Sequence, residues 1–276
     1  MLITLLKAIV YGIVEGLTEW LPISSTGHLI LLEQLLPLEA SDAFMEMFDV
    51  VIQLGAILAV IVLFFHKLNP FSPRKSAGQK KDTWRLWGKV VLAVIPSAAL
   101  GLLLDDWLDE HLYNYVVVAL MLILYGVAFI LVERRRSGRK PAVRTVEGIT
   151  PKTALLIGCF QVLALIPGTS RSGATILGAI LLGLSRTAGA EFSFFLAIPT
   201  MLGASALKVL KFLLEGGGMT GGEAVSLIVG CLVAFLVSLV AIRGLMDYVK
   251  KHSFSLFGVY RIALGALVLL FWIFTR

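Results

Sequence analysis

Charge is what this sequence has least of. Its 276 residues include 24 Lys or Arg and 18 Asp or Glu, 15% in all, against about 25% in soluble proteins. A chain this long with so little polar surface cannot cover a soluble globule, which excludes a cytosolic enzyme. Cysteine is scarce too: Cys159 and Cys231 stand alone in apolar stretches without CxxC spacing, so a disulfide scaffold is excluded and nothing is said of redox compartment. The N-terminal apolar run lacks an A-x-A-like cleavage site and is interrupted by Lys7 and Glu15, so it is expected to be retained rather than removed as a signal peptide. Apolar residues are abundant, at 58% with a mean hydropathy of +0.91, which excludes disorder. The composition is that of an all-α polytopic membrane protein.

The few charges are unevenly placed. Seven Lys/Arg fall between His66 and Lys89 and seven more between Glu133 and Lys152. Clusters this dense could hold nucleic acid, but each lies between apolar spans, so they set topology, attract anionic membrane lipids as a by-product and imply no nucleic-acid partner. Six segments, near 47–66, 87–104, 113–132, 191–212, 224–246 and 256–275, are long and apolar enough to cross a bilayer. The stretch 105–112, with Asp105, Asp106, Asp109 and Glu110, and the stretch 213–223, with Glu215, Glu223 and several Gly, read as loops on the side opposite the basic ones. Lys/Arg in the cytoplasm makes those two loops and both termini extracytoplasmic.

Two apolar regions do not read as plain spans. Region 5–36 is broken at Pro22-Ile23-Ser24-Ser25-Thr26-Gly27, and region 153–185 at Pro167-Gly168-Thr169-Ser170-Arg171-Ser172-Gly173. Irregular backbone at membrane depth survives only where it is buried in protein or lines a cavity. Corresponding breaks in two halves point to an internal repeat with a site at its interface. The sequence therefore predicts one membrane domain, 1–276, of two inverted repeats, about 1–140 and 150–276. Each repeat is a broken re-entrant hairpin followed by three spans, and the two hairpins meet near the midplane.

Four charges fall inside the apolar regions: Glu15, Glu19, Asp49 and Arg171. Unpaired, they would cost roughly 10–14 kcal/mol on insertion scales, so a partner, water or an ion must offset them. Glu15 and Glu19 are one helical turn apart and share a face, where two carboxylates coexist by sharing a proton, a metal or an arginine. Ser24, Ser25, Thr26, Gly27 and His28 bring hydroxyls, free backbone N–H groups and an imidazole, a combination suited to anions. Arg171, between Ser170 and Ser172 and followed by Gly173 and Thr175, adds a planar fork that matches phosphate oxygens. One acidic and one basic element facing each other suggest a phosphorylated substrate with a divalent ion. Glu191, Lys208 and Arg261 read as interfacial or paired between helices, and Asp49 as a packing or pocket residue.

Residues 15–28, EGLTEWLPISSTGH, and 167–175, PGTSRSGAT, are similar to the two signatures of the undecaprenyl-diphosphate phosphatases, the bacitracin-resistance membrane phosphatase family. The resemblance extends through segments 49–55 and 191–199 and spans nearly the whole chain. It implies hydrolysis of a C55 polyprenyl diphosphate to the monophosphate that carries cell-wall precursors, hence bacitracin resistance. It also implies a need for Mg²⁺ or Ca²⁺ and a site open to the extracytoplasmic side, with a homodimer as a candidate assembly. The family's functional positions fall on Glu15 and Glu19 for metal, and on Glu19, Ser25, His28 and Arg171 for catalysis. Ser24, Thr26, Gly27, Ser170, Ser172, Gly173 and Thr175 are substrate contacts on this resemblance. Ser25, His28 and a directly activated water all remain candidates for the nucleophile. A polyprenyl-phosphate flippase built on the same inverted repeat is the alternative.

Overall fold

The computed structural model describes residues 2–275, leaving aside the side chains of Asp105, Asp106 and Asp109. Among the described residues all regular elements are helical, joined by a single isolated bridge between Val143 and Leu184. Helices satisfy every backbone group within one segment, as a bilayer requires. Six helices are long and apolar enough to cross a membrane: α3 (Asp42–Leu63), α5 (Ala77–Leu112), α6 (Tyr115–Arg136), α9 (Arg186–Leu214), α10 (Gly221–Lys251) and α11 (Ser255–Thr275). They overlap the six expected spans, with α5, α9 and α10 running beyond them at both ends. The chain is thus a multi-pass membrane protein.

The starts of these helices are written in the sequence. Ser41, Asn114 and Ser185 each accept a hydrogen bond from the backbone N–H three residues on. Ser76 with Gln79 and Thr220 with Glu223 form reciprocal capping boxes. One boundary differs from the sequence reading: 105–112 is not a loop but the last two turns of α5. Acidity suggested a loop there, yet no Gly or Pro interrupts the stretch, and the helix runs on to Leu112, two residues before the Asn114 cap of α6. Much of the expected basic loop 66–89 is likewise helical, in the short α4 (Phe65–Leu68) and the first turns of α5.

The two broken regions are broken where expected. Helix α1 (Leu2–Thr18) is followed by α2 (Ser25–Leu35), and α7 (Pro151–Val162) by a 3₁₀ turn and α8 (Arg171–Leu181). The halves then interleave. Helix α1 packs chiefly on α10 and α7 on α5, so each half's leading helix lies against a span of the other, while α6 packs along α11 and α3 along α9. Gly12 and Gly158, each twelve residues before the serine that opens the following helix, mark the two crossings. A Cβ on Gly12 would stand 2.6 Å from the Gly230 carbonyl oxygen, and one on Gly158 2.1 Å from that of Ala93. Small residues let these backbones touch.

The segment between the halves is pinned down. Ala142 and Val143 donate backbone N–H groups to the Gly183 carbonyl, and Lys67 bridges Glu147 at 3.2 Å and Glu191 at 2.8 Å. Partial burial opposes the Lys67 charge, but its two carboxylate partners outweigh that and raise its pKa. Glu147 is displaced the other way: burial is outweighed by hydrogen bonds from its own backbone and from Thr145, and by the Lys67 charge.

Candidate active site

The two breaks share one local device. Ser24 (φ 73°) and Ser170 (φ 71°) both adopt the left-handed conformation that side chains rarely take. Each precedes a helix and caps it. The Ser24 Oγ accepts from the Gly27 N–H at 3.3 Å, and the Ser170 Oγ from the Gly173 N–H at 3.1 Å. Such backbone costs about 1–3 kcal/mol per residue and persists only where its surroundings enforce it. The first residues of the two helices, Ser25 of α2 and Arg171 of α8, both bond Glu19.

Arg171, the first residue of α8, reaches the other broken region. Its Nη2 donates to Glu19 Oε1 at 2.8 Å, and its Nη1 to the Ser193 carbonyl at 2.7 Å and hydroxyl at 3.3 Å. The guanidinium lies over the ring of Trp20, 5.6 Å from its centroid, and the Arg171 and Glu19 side chains are only 11% and 8% exposed. The other oxygen of Glu19 accepts from the Ser25 hydroxyl at 3.0 Å. Ser172 donates to the Glu19 carbonyl at 3.0 Å and shares a 3.1 Å contact with Ser170. Thr175 braces the far side, donating to the Arg171 carbonyl at 2.8 Å and meeting Ser193 Oγ at 2.7 Å. A serine thus faces a carboxylate that a third group holds in place, the arrangement of an activated nucleophile. Beside it stands an arginine whose Nε–H is buried without a partner, a donor left over for an anion.

His28 is not part of that cluster. Its Nδ1 lies 2.7 Å from the Ser24 carbonyl oxygen and its Nε2 2.7 Å from the Tyr260 hydroxyl. Thr26, partly exposed, and Gly27, buried against Leu122, complete the first turn of α2.

The model of the family described as bacitracin resistance protein BacA matches residues 8–267. The chain is 58% identical over 269 residues to the undecaprenyl-diphosphatase of Enterococcus faecalis, covering 98% of each. It is 58% identical to the protein of the same name from Latilactobacillus sakei, at 97% of each chain. To that of Streptococcus thermophilus it is again 58% identical, over 98% of this chain and 94% of that one. The chain belongs to the BacA family.

In this BacA chain Glu15 is wholly buried and neither of its carboxylate oxygens has a partner. Among the described residues no group of three or more His, Cys, Asp or Glu could hold a metal unaided. Two carboxylates nevertheless fit Mg²⁺, which is commonly held by one or two of them with substrate phosphates completing the shell. Glu15, with two orphaned hard oxygens one turn from Glu19, is the residue that most needs such a partner.

Arg261 corrects the sequence reading. It is not interfacial but fully buried, and its partners between elements are backbone carbonyls. Nη1 donates to Pro22 at 3.1 Å, and Nη2 to Gly168 at 2.8 Å and Thr169 at 2.9 Å, joining both breaks. The guanidinium also lies 5.5 Å from the Tyr125 ring centroid. The available signal was a lone arginine inside an otherwise apolar span. The other two residues pair between elements as expected, Glu191 with Lys67 and Lys208 with Glu46 at 2.7 Å. Asp49 lines a cavity of about 650 Å³ with Glu33, Lys208 and Tyr11, the last one turn of α1 before Glu15.

Proposed function

We propose that the chain hydrolyses undecaprenyl diphosphate to undecaprenyl phosphate and inorganic phosphate, recycling the lipid carrier of cell-wall synthesis and so conferring bacitracin resistance. One observation carries the reading: Ser25, Glu19 and Arg171, drawn from both halves, meet in a buried cluster of a chain 58% identical to named undecaprenyl-diphosphatases.

The chemistry follows from the donors and acceptors present. The fork of Arg171, with its free Nε–H, binds non-bridging oxygens of the terminal phosphate and neutralises charge as it develops. Glu19 takes the proton of Ser25 while Oγ attacks the terminal phosphorus and undecaprenyl phosphate departs. Water then attacks the phosphoserine, giving up a proton to His28, while Glu19 returns its proton to Ser25 Oγ as the Oγ–phosphorus bond breaks and phosphate is released. Ser24, Thr26, Gly27, Ser170, Ser172, Gly173 and Thr175 shape the oxyanion surroundings, through hydroxyls and the backbone at the starts of α2 and α8. A divalent ion, Mg²⁺ or Ca²⁺, held by Glu15 and Glu19, would supply further neutralisation of phosphate charge.

The membrane is the bacterial inner membrane and the site opens to its extracytoplasmic side. This side assignment is supported by the Arg134–Arg136 end of α6 and the Lys250–Lys251 end of α10, which belong on the cytoplasmic side. A homodimer in the bilayer belongs to the same reading, and mass measurement in detergent reads it. The flippase alternative finds no support, since the relatives above are named as hydrolases.

The test is phosphate release from the C55 diphosphate by purified protein in detergent. Wild type releases phosphate; Ser25→Ala loses at least about 10²-fold in kcat, within the range expected when a nucleophile or its base is removed. A phosphoserine at residue 25, accumulating in His28→Gln, supports the covalent route. Wild-type turnover by Ser25→Ala leaves direct attack by water.

A further inference from the structure

Tyr260 belongs to neither signature, yet it is the partner of the one ring in the site whose protonation state the backbone dictates. The Ser24 carbonyl, 2.7 Å from His28 Nδ1, can only accept, so Nδ1 carries the hydrogen. In the neutral imidazole Nε2 is then a bare lone pair, and the Tyr260 hydroxyl, at 2.7 Å, is the donor. The two rings also lie parallel, 10° apart with centroids 5.6 Å from each other. The contact joins α2 to α11 across the repeat, 232 residues apart in sequence. Its backbone is held firm by the next residue, Arg261, which grips Pro22 two residues before the Ser24 cap. Tyr260 itself is 44% exposed, and its hydroxyl occupies the Nε2 side of His28.

We propose that Tyr260 is a positioning residue that acts through His28, fixing the imidazole plane and presenting Nε2 as a proton acceptor until water or a phosphate oxygen takes the tyrosine's place. The inference rests on the proposed participation of His28 in the hydrolysis.

The experiment combines histidine ¹⁵N NMR with a double-mutant cycle in the full-length protein. Tyr260→Phe keeps the stacked ring and removes only the donor. The chain has four histidines, so His28→Gln assigns the His28 signals. Wild type is expected to show Nδ1 protonated and Nε2 bare and hydrogen-bonded. In Tyr260→Phe the Nε2 signal moves towards that of an unbonded imidazole nitrogen and kcat falls about tenfold, the worth of one hydrogen bond, with KM within about twofold. In a His28→Gln background the same substitution changes kcat less than about twofold, because coupled residues are not additive. A protonated Nε2 in wild type, or an equal loss in both backgrounds, overturns the proposal. Wild-type turnover by His28→Gln alone removes His28 from the reaction and this proposal with it, while leaving the Ser25–Glu19–Arg171 reading intact.

Discussion

Arg171 spends one nitrogen on Glu19, another on Ser193, and keeps Nε free. That division makes its geometry matter more than its charge. A lysine keeps +1 but cannot span two phosphate oxygens in one plane. Arg171→Lys should therefore lose about 10²–10³ in kcat, approaching Arg171→Ala, in phosphate-release assays. Near-wild-type turnover by the lysine variant would strike Arg171 from the catalytic cluster. Glu19→Gln removes the charge that Arg171 faces and leaves a guanidinium buried without its anion. Breaking a buried pair from one side costs about 3–5 kcal/mol, so Tm should fall together with activity. Glu15→Gln acts otherwise: its oxygens bond nothing in the protein, so stability should hold or rise, while activity loses its response to added Mg²⁺. A full Mg²⁺ response in that variant places the ion elsewhere. The members of this cluster were legible because acids and an arginine inside apolar runs are too costly to be incidental. Arg261 carried the same signal, but the sequence left it between an interfacial place and a pairing between helices. Its partners are backbone carbonyls of Pro22, Gly168 and Thr169, and carbonyls freed by broken helices leave no letter in a sequence.

At the scale of elements, the breaks were legible as Pro/Gly/Ser clusters, but their mirrored conformation was not, since a positive φ at serine has no signature of its own. It yields a prediction with an unusual order. At a helix start with ordinary backbone, Ser→Ala costs about 0.5–2 kcal/mol and Ser→Gly a few tenths. At Ser170 glycine also relieves the left-handed strain, so Ser170→Gly should match or exceed wild-type Tm while Ser170→Ala falls below it. A less stable glycine variant would show that the conformation costs nothing there. Helix α5 teaches the opposite lesson. Its 36 residues span about 54 Å at 1.5 Å per residue, well beyond a 30 Å hydrocarbon core. Hydropathy reported only the part inside the bilayer, so the acidic end looked like a loop.

The interleaving of the halves is a property of the whole molecule, and so is the clamp that Lys67 places on the connecting segment through Glu147 and Glu191. A carboxyl held below its usual range stabilises above its unfolded pKa and ceases to do so as pH falls through the lowered one. A lysine held above its range stabilises below its unfolded pKa and ceases as pH rises through the raised one. The Glu147–Lys67 contact should therefore stabilise across the neutral range. The Tm difference between wild type and Glu147→Gln should be steady near pH 7 and close to zero in acid below the ordinary carboxylate range. A difference unchanged in acid would mean that the contact is not ionic. Topology is checked with single cysteines in a background lacking Cys159 and Cys231. An impermeant thiol reagent added to intact cells should label Gly218→Cys and not Arg139→Cys, and the reverse pattern would invert the side assignment.

Crosswise packing has a consequence for the order of synthesis. Helix α1 enters the bilayer carrying Glu15, with Glu19 just beyond its end, before the arginine that will pair with Glu19 exists. Arg171 is made 152 residues after Glu19, and Arg261 arrives later still to tie the two breaks together. Until α10 is inserted, α1 lacks its main packing partner, and until α11 follows, Arg261 does not join the two breaks. The nascent protein must therefore hold a charged helix in waiting, at the membrane surface or in the insertion machinery, for most of its translation. A ribosome-stalled chain ending before residue 220 should leave position 15 open to water-borne thiol reagents, and one extended past residue 275 should not.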